Sequence, residues 1–169
     1  FTSQLFQEQM TGSTLNMHYT IADPKTFGIS EYEPVLPIYH SDQPEDSKEH
    51  CSDLLHRLDR IDPDRLSPEN AYTYRLLHRS LENDLALADF PYYNEPLSPS
   101  SGMQSQLPVL LAEYTFRTIR DVTDYLALLD QIDDYFASLL LYEQEKAAAG
   151  FFMPASSSEK VRKQCDTIV

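Results

Sequence analysis

From Asp121 to Ala149, apolar residues recur at alternating spacings of three and four: Val122, Tyr125, Leu129, Ile132, Phe136 and Leu139. That period places them on one stripe of a helix. A single helix of this extent is about 40 Å long, with Gly150 closing it as the C′ residue. Asp124, Asp130, Asp133 and Asp134 fall largely off the stripe and are expected on a solvated face. A rod with one apolar side needs partners, so the rest of the chain must supply helices to cover it.

Those partners are legible. Phe1–Met10 places Leu5 and Phe6 on one side of a short helix, Thr11-Gly12-Ser13 breaks it, and Thr14–Thr20 forms a second turn presenting Leu15, His18 and Tyr19. Asp23-Pro24 and Gly28 mark turns. Tyr32–Tyr39 carries Val35, Leu36 and Ile38 but is cut by Pro34 and Pro37, which limits it to an extended edge segment. After a polar loop over Ser41–Ser47, a helix over Asp46–Ile61 shows Cys51, Leu54 or Leu55, Leu58 and Ile61. Asp62-Pro63 ends it. Ser67 caps the next helix with Pro68 at N1 and Glu69 near the positive dipole end. Its stripe is Ala71, Tyr74, Leu77 or His78, Leu81, Leu85 and Ala88, and Pro91 ends it at Phe90.

Between these halves lies Leu97–Phe116. Ser98 and Pro99 open a turn, and Gly102 is one of only four glycines, so its backbone freedom is expected to be used. Pro108 suits the first turn of a short helix over Val109–Tyr114. The stretch holds no His, no Cys and one acid, Glu113, which makes it a shaped polar loop. At the far end, Ser156-Ser-Ser-Glu159 reads as a capping box. The helix it starts carries Val161, Cys165 and Ile168 and reaches Val169 with no stop signal. With Phe1 in place of a Met, this reads as the front piece of a longer protein.

The expected fold is therefore all-α: several long antiparallel helices with an irregular N-terminal arm. It is one region over 1–169, with an arm over 1–45, a helical hairpin over 46–90, a Pro/Gly loop and short helix over 91–120, and the long helix plus a truncated one over 121–169. With 169 residues and 41% hydrophobic content, the chain can bury a core. Its net charge of −14 disfavours nucleic acid and anionic membrane surfaces as partners. No apolar run is long enough to span a bilayer. Cys51 and Cys165 permit a disulfide without implying one.

Chemistry is sparse. The histidines are His18, His40, His50, His56 and His78, none followed by Glu, so the HExxH zinc helix is absent. His50, Asp53 and His56 form a poor metal set, and pairing of Asp53 with Arg57 at i, i+4 explains that face better. Ser100, Ser101 and Ser105 lack a GxSxG elbow, and Cys51 beside His50 is a chain neighbour pointing elsewhere. The acids Asp121, Asp124, Asp130, Asp133 and Asp134 lack the Gly-turned loop calcium needs. Tyr92-Tyr93-Asn94 either lines a peptide groove or packs a helix end.

Three strings carry a resemblance. One runs Leu5-Phe6-Gln-Glu, Thr14-Leu-Asn-Met-His18-Tyr-Thr-Ile-Ala-Asp-Pro24 and Phe27-Gly28-Ile29. The second is Gly102-Met-Gln-Ser-Gln-Leu-Pro-Val-Leu-Leu-Ala-Glu-Tyr114-Thr-Phe116-Arg. The third is Asp121-Val, Asp124-Tyr-Leu-Ala-Leu-Leu, Glu145-Lys and Gly150-Phe-Phe-Met153. Over nearly its whole length the chain resembles a bacterial family, domain of unknown function 885, grouped by fold with zinc metallopeptidases. The resemblance implies a helical fold much longer than this chain, whose metal-binding helix lies in a C-terminal part. It carries no zinc ligand or general base onto these residues. It also implies export, with the protein secreted or lipid-anchored.

The expectation is then the N-terminal helical region of a secreted zinc-dependent peptidase, inactive alone and holding no cofactor, with zinc in the full-length parent. Substrate contacts fall to Tyr92, Tyr93, Gly102, Gln104 and Gln106, with the Gly102–Gln106 loop nearest the cleft. Partners are the C-terminal catalytic half, a peptide substrate, and further copies through exposed apolar surface. The alternative is a non-catalytic helical binding or scaffold module. A reading frame continuing into a His-Glu helix separates the two.

Overall fold

The computed structural model describes residues 1–39 and 43–167, and side chains there except those of Gln43 and Pro44. His40, Ser41, Ile168 and Val169, all named above, lie outside the described residues. Within them the fold is all-α: α1 Thr2–Thr11, α2 Thr14–Thr20, α3 Gln43–Asp59, α4 Pro68–Leu87, α5 Met103–Ala112, α6 Ile119–Asp130, α7 Ile132–Ala148 and α8 Ala155–Cys165, with single 3₁₀ turns at Pro24–Phe27 and Pro63–Arg65. No described helix is long and apolar enough to cross a membrane.

The chain divides into two compact units, one of Phe1 with His40–Asn94, the other of Thr2–Tyr39 with Glu95–Val169. The first is the α3–α4 hairpin. Cys51, Leu54 and Leu58 from α3 and Leu81 from α4 are its buried apolar side chains, each contributing about 1–3 kcal/mol by leaving water. Ser67 caps α4 by accepting the Asn70 amide, as its sequence indicates. The helix stops at Leu87, three residues before Phe90. Asp53 and Arg57 pair at 3.6 Å.

In the second unit, Leu15, Leu36, Leu107, Tyr114, Leu128, Tyr135 and Leu139 form one core, and Met10, Met17, Ile21 and Ile29 a smaller one. Residues 29–39 form no strand; the Thr14 N–H donates to Val35 O (3.0 Å) and side chains hold the rest. Val35 N–H donates to Thr14 Oγ1 (2.8 Å), Leu36 N–H to Gln131 Oε1 (2.9 Å), and Tyr39 N–H to Ser138 Oγ (3.1 Å). The edge-strand reading of Tyr32–Tyr39 therefore gives way to an extended arm clipped onto helices.

Gln131 also corrects the rod. The expected single helix over Asp121–Ala149 is two, α6 and α7, interrupted at this residue. Its amide donates back to Ala127 O (3.0 Å) and across to Pro34 O (3.0 Å) while receiving the Leu36 amide. One side chain thus serves both helix end and arm. The buried stripe also differs from the expected one in α6. Leu128 is 1% exposed, whereas Val122 and Leu129 are 43% and 38% exposed. Asp124, expected in solvent, is buried.

Two starts also differ. α5 begins at Met103 rather than Val109, so Pro108 sits inside it. α8 begins at Ala155 behind Pro154 with no side-chain cap, so the Ser156–Glu159 box is not formed. The capping box of this chain is Thr118 with Asp121, at the start of α6.

Candidate functional site

The most concentrated polar chemistry of the second unit surrounds His18. Ser13 caps α2 by accepting the Asn16 amide, and burial of Leu15 and Met17 turns His18 inward with them. Its ring stacks on Tyr114 (centroids 3.7 Å apart, planes at 11°). Nε2 accepts the Thr115 amide at 3.3 Å, which leaves the ring proton on Nδ1, 4.0 Å from Asp121 Oδ1. Burial, then the Arg117 charge, holds His18 below the ordinary imidazole range, against the pull of Asp121 and Asp124. It is neutral at pH 7.

Both acids are spent structurally. Asp121 Oδ2 accepts the amides of Thr118 (2.6 Å) and Arg117 (2.8 Å) at the N-terminus of α6. Burial alone would raise this carboxyl, but those hydrogen bonds lower it below the usual range. Asp124 takes Arg120 Nε on one oxygen (2.7 Å) and the Tyr32 hydroxyl on the other (2.6 Å). Arg120 also donates to the Tyr32 carbonyl (2.6 Å) and lies 4.4 Å above that ring. Burial, then the bond to Asp124, pushes Tyr32 up to about 12. Burial raises Tyr114 as well. Neither phenol is a base near neutral pH.

Thr14, Met17, His18, Tyr32, Arg117 and Asp121 contribute to the lining of a cavity of about 20 Å³, room for about one water. Of the hydroxyls in the lining, Thr14 Oγ1 already accepts the Val35 amide and the Tyr32 hydroxyl is given to Asp124. Among the described residues no three His, Cys, Asp or Glu side chains converge as metal ligands. Cys51 is buried and Cys165 exposed, both as free thiols.

The residues singled out for substrate fall in different places. Gln104 is fully buried: Nε2 donates to Ser98 O (2.6 Å) and to Gln164 Oε1 (2.9 Å), while Gln164 Nε2 reaches Pro99 O (3.0 Å), tying α5 to α8. Gly102 is next to it. Its φ of −73° is open to any residue, so space is what demands glycine there: a Cβ would stand 2.0 Å from Gln104 Oε1 and 2.2 Å from Ser98 N. Gln106 is exposed on α5. Tyr92 and Tyr93 belong to the other unit, Tyr92 half-buried and Tyr93 exposed.

No single local motif marks Tyr32, Arg120, Asp121 and Asp124 as a group. Two signals were available: Thr118 with an acid three residues on, ahead of an apolar run, and Arg120 with Asp124 at i, i+4. No curated protein and no solved structure matches the chain. A family model described as "Bacterial protein of unknown function (DUF885)" matches residues 25–169, and the chain belongs to that family.

Proposed function

We propose that this chain is the N-terminal helical region of an exported zinc-dependent peptidase, forming one wall of its substrate channel and hydrolysing nothing by itself. The observation that supports this is how the polar side chains around the cavity are used. His18 directs its free lone pair at an amide, Asp121 caps a helix, and Asp124 neutralises Arg120. A zinc site needs several unengaged donors converging on one point. These residues do not fit that requirement, and the proposal assigns the metal and the bond-breaking step to other parts of the protein. Within the second unit, the exposed Gln106 in the first turn of α5 is assigned to peptide contact.

Two preparations test the reading: the 169-residue chain and the product of the complete reading frame. After equilibration with zinc and desalting, the short chain is expected to retain no stoichiometric metal and to leave a casein digest unchanged. The complete product is expected to hold about one zinc and to cleave. One-to-one zinc and hydrolysis from the short chain would overturn the proposal. A complete product with neither would make the helical scaffold or binding module the better reading.

A further inference from the structure

Away from the cavity, a charge cluster joins α7 to the segment that leads into α5. Glu95 opens that segment, Lys146 lies near the end of α7, and Glu143 is one turn earlier on the same helix. Lys146 is 4% exposed. Its ammonium is bonded to the Glu95 carboxylate and stands 3.8 Å from Glu143 Oε2. The other oxygen of Glu143, Oε1, is buried with no hydrogen-bond partner.

Two carboxylates thus face one ammonium. With both acids ionised, the cluster holds an uncompensated negative charge and a bare carboxylate oxygen where little water reaches, which is costly. One proton on Glu143 removes both problems. It balances the cluster and lets the carboxyl hydrogen-bond to Glu95, leaving Lys146 to the latter.

Glu95 gains its importance from the residues just downstream. Met103 N–H donates to Pro96 O (2.9 Å), and Gly102 N–H to Ser98 O (3.1 Å). The start of α5 therefore hangs on residues 96–98, and the Glu95–Lys146 bond ties the upstream end of that segment to α7.

We propose that Glu143 is a proton-operated latch: neutral, it leaves Lys146 to Glu95 and the 95–102 segment stays fastened to α7; ionised, it competes for the same ammonium and the segment loosens. Burial, then the like charge of Glu95, pushes the Glu143 carboxyl up to about 7 against the opposing pull of Lys146. The folded chain holds this proton more tightly than the unfolded one, whose ordinary value is 4.5. The contribution to stability is therefore complete below about 4.5, declines as pH rises toward about 7 and is gone above it. The described titratable groups facing Glu143 are Glu95 from the segment, Lys146 from its own helix and Tyr39 from the arm. Tyr39, hydrogen-bonded with Tyr135, is raised by burial and stays neutral through this range. The latch stands independently of the peptidase reading.

Hydrogen exchange of the peptide covering 95–104 tests it at about pH 6 and about pH 8.5, corrected for intrinsic exchange, with the Leu128 amide of α6 as the global reference. In the wild type, protection at Gly102 and Met103 is expected to fall at least about threefold relative to Leu128 at the higher pH. Glu143→Gln keeps the neutral shape and should hold that protection level at both pH values. If the amide is poorly tolerated, Glu143→Met removes the titrating group and should be equally flat. Unchanged protection in the wild type, or the wild-type loss persisting in either variant, would overturn the latch.

Discussion

Asp124 and Asp133 stand nine positions apart in one acidic run, yet they do different work. Asp133 is exposed, while Asp124 is buried with one donor on each oxygen, Arg120 Nε and the Tyr32 hydroxyl. Removing the buried carboxylate strands that hydroxyl; the Arg120 side chain is 48% exposed, so water recovers part of its share. Asp124→Ala is expected to cost about 2–3 kcal/mol, and Asp133→Ala less than about 0.5 kcal/mol. Urea denaturation of the two variants side by side checks this. Periodicity could not separate them, because Tyr32 lies 92 residues upstream and only the i, i+4 arginine is written locally. Gly102 carries the same lesson. The sequence marks the position, but its reason is a close approach of Ser98 and Gln104 that folding alone creates.

Among elements, the ones read well were those whose signals are local. α3 and α4 keep their expected faces because caps, prolines and three-four spacing act within a turn or two, whereas in α2 Met17 is buried and Tyr19 exposed. The Asp121–Ala149 rod was misread because its interruption comes from a tertiary demand on Gln131, whose side chain also satisfies Pro34 and Leu36. Burial shows which leucine carries the core: Leu128 is 1% exposed. Leu128→Ala is expected to cost about 3 kcal/mol, and Val122→Ala less than about 1 kcal/mol. Equal losses in thermal or urea unfolding would return Val122 to the buried face of α6. The cavity around His18 was unreadable for the same reason: α2, the Tyr114–Arg117 turn and α6 each carry only a fragment of it.

For the whole molecule, charge dominates. A net charge of −14 on 169 residues repels itself, and exposed pairs such as Lys163–Glu159 (2.9 Å) offset little of it. Raising sodium chloride from about 20 mM to about 300 mM shortens the screening length severalfold. It is expected to raise Tm by about 2–4 °C, roughly a kilocalorie for a chain of this size. Scanning fluorimetry across the salt series checks it, and a falling Tm would mean that ion pairs outweigh repulsion. The clipped arm has a further consequence, for synthesis. Its anchors on Gln131 and Ser138 lie 95 to 99 residues downstream. At ordinary translation rates those partners leave the ribosome roughly 5–20 s after the arm does. Through that interval the arm has only its Thr14 bonds at Val35, while the Leu36 and Tyr39 amides wait for their partners.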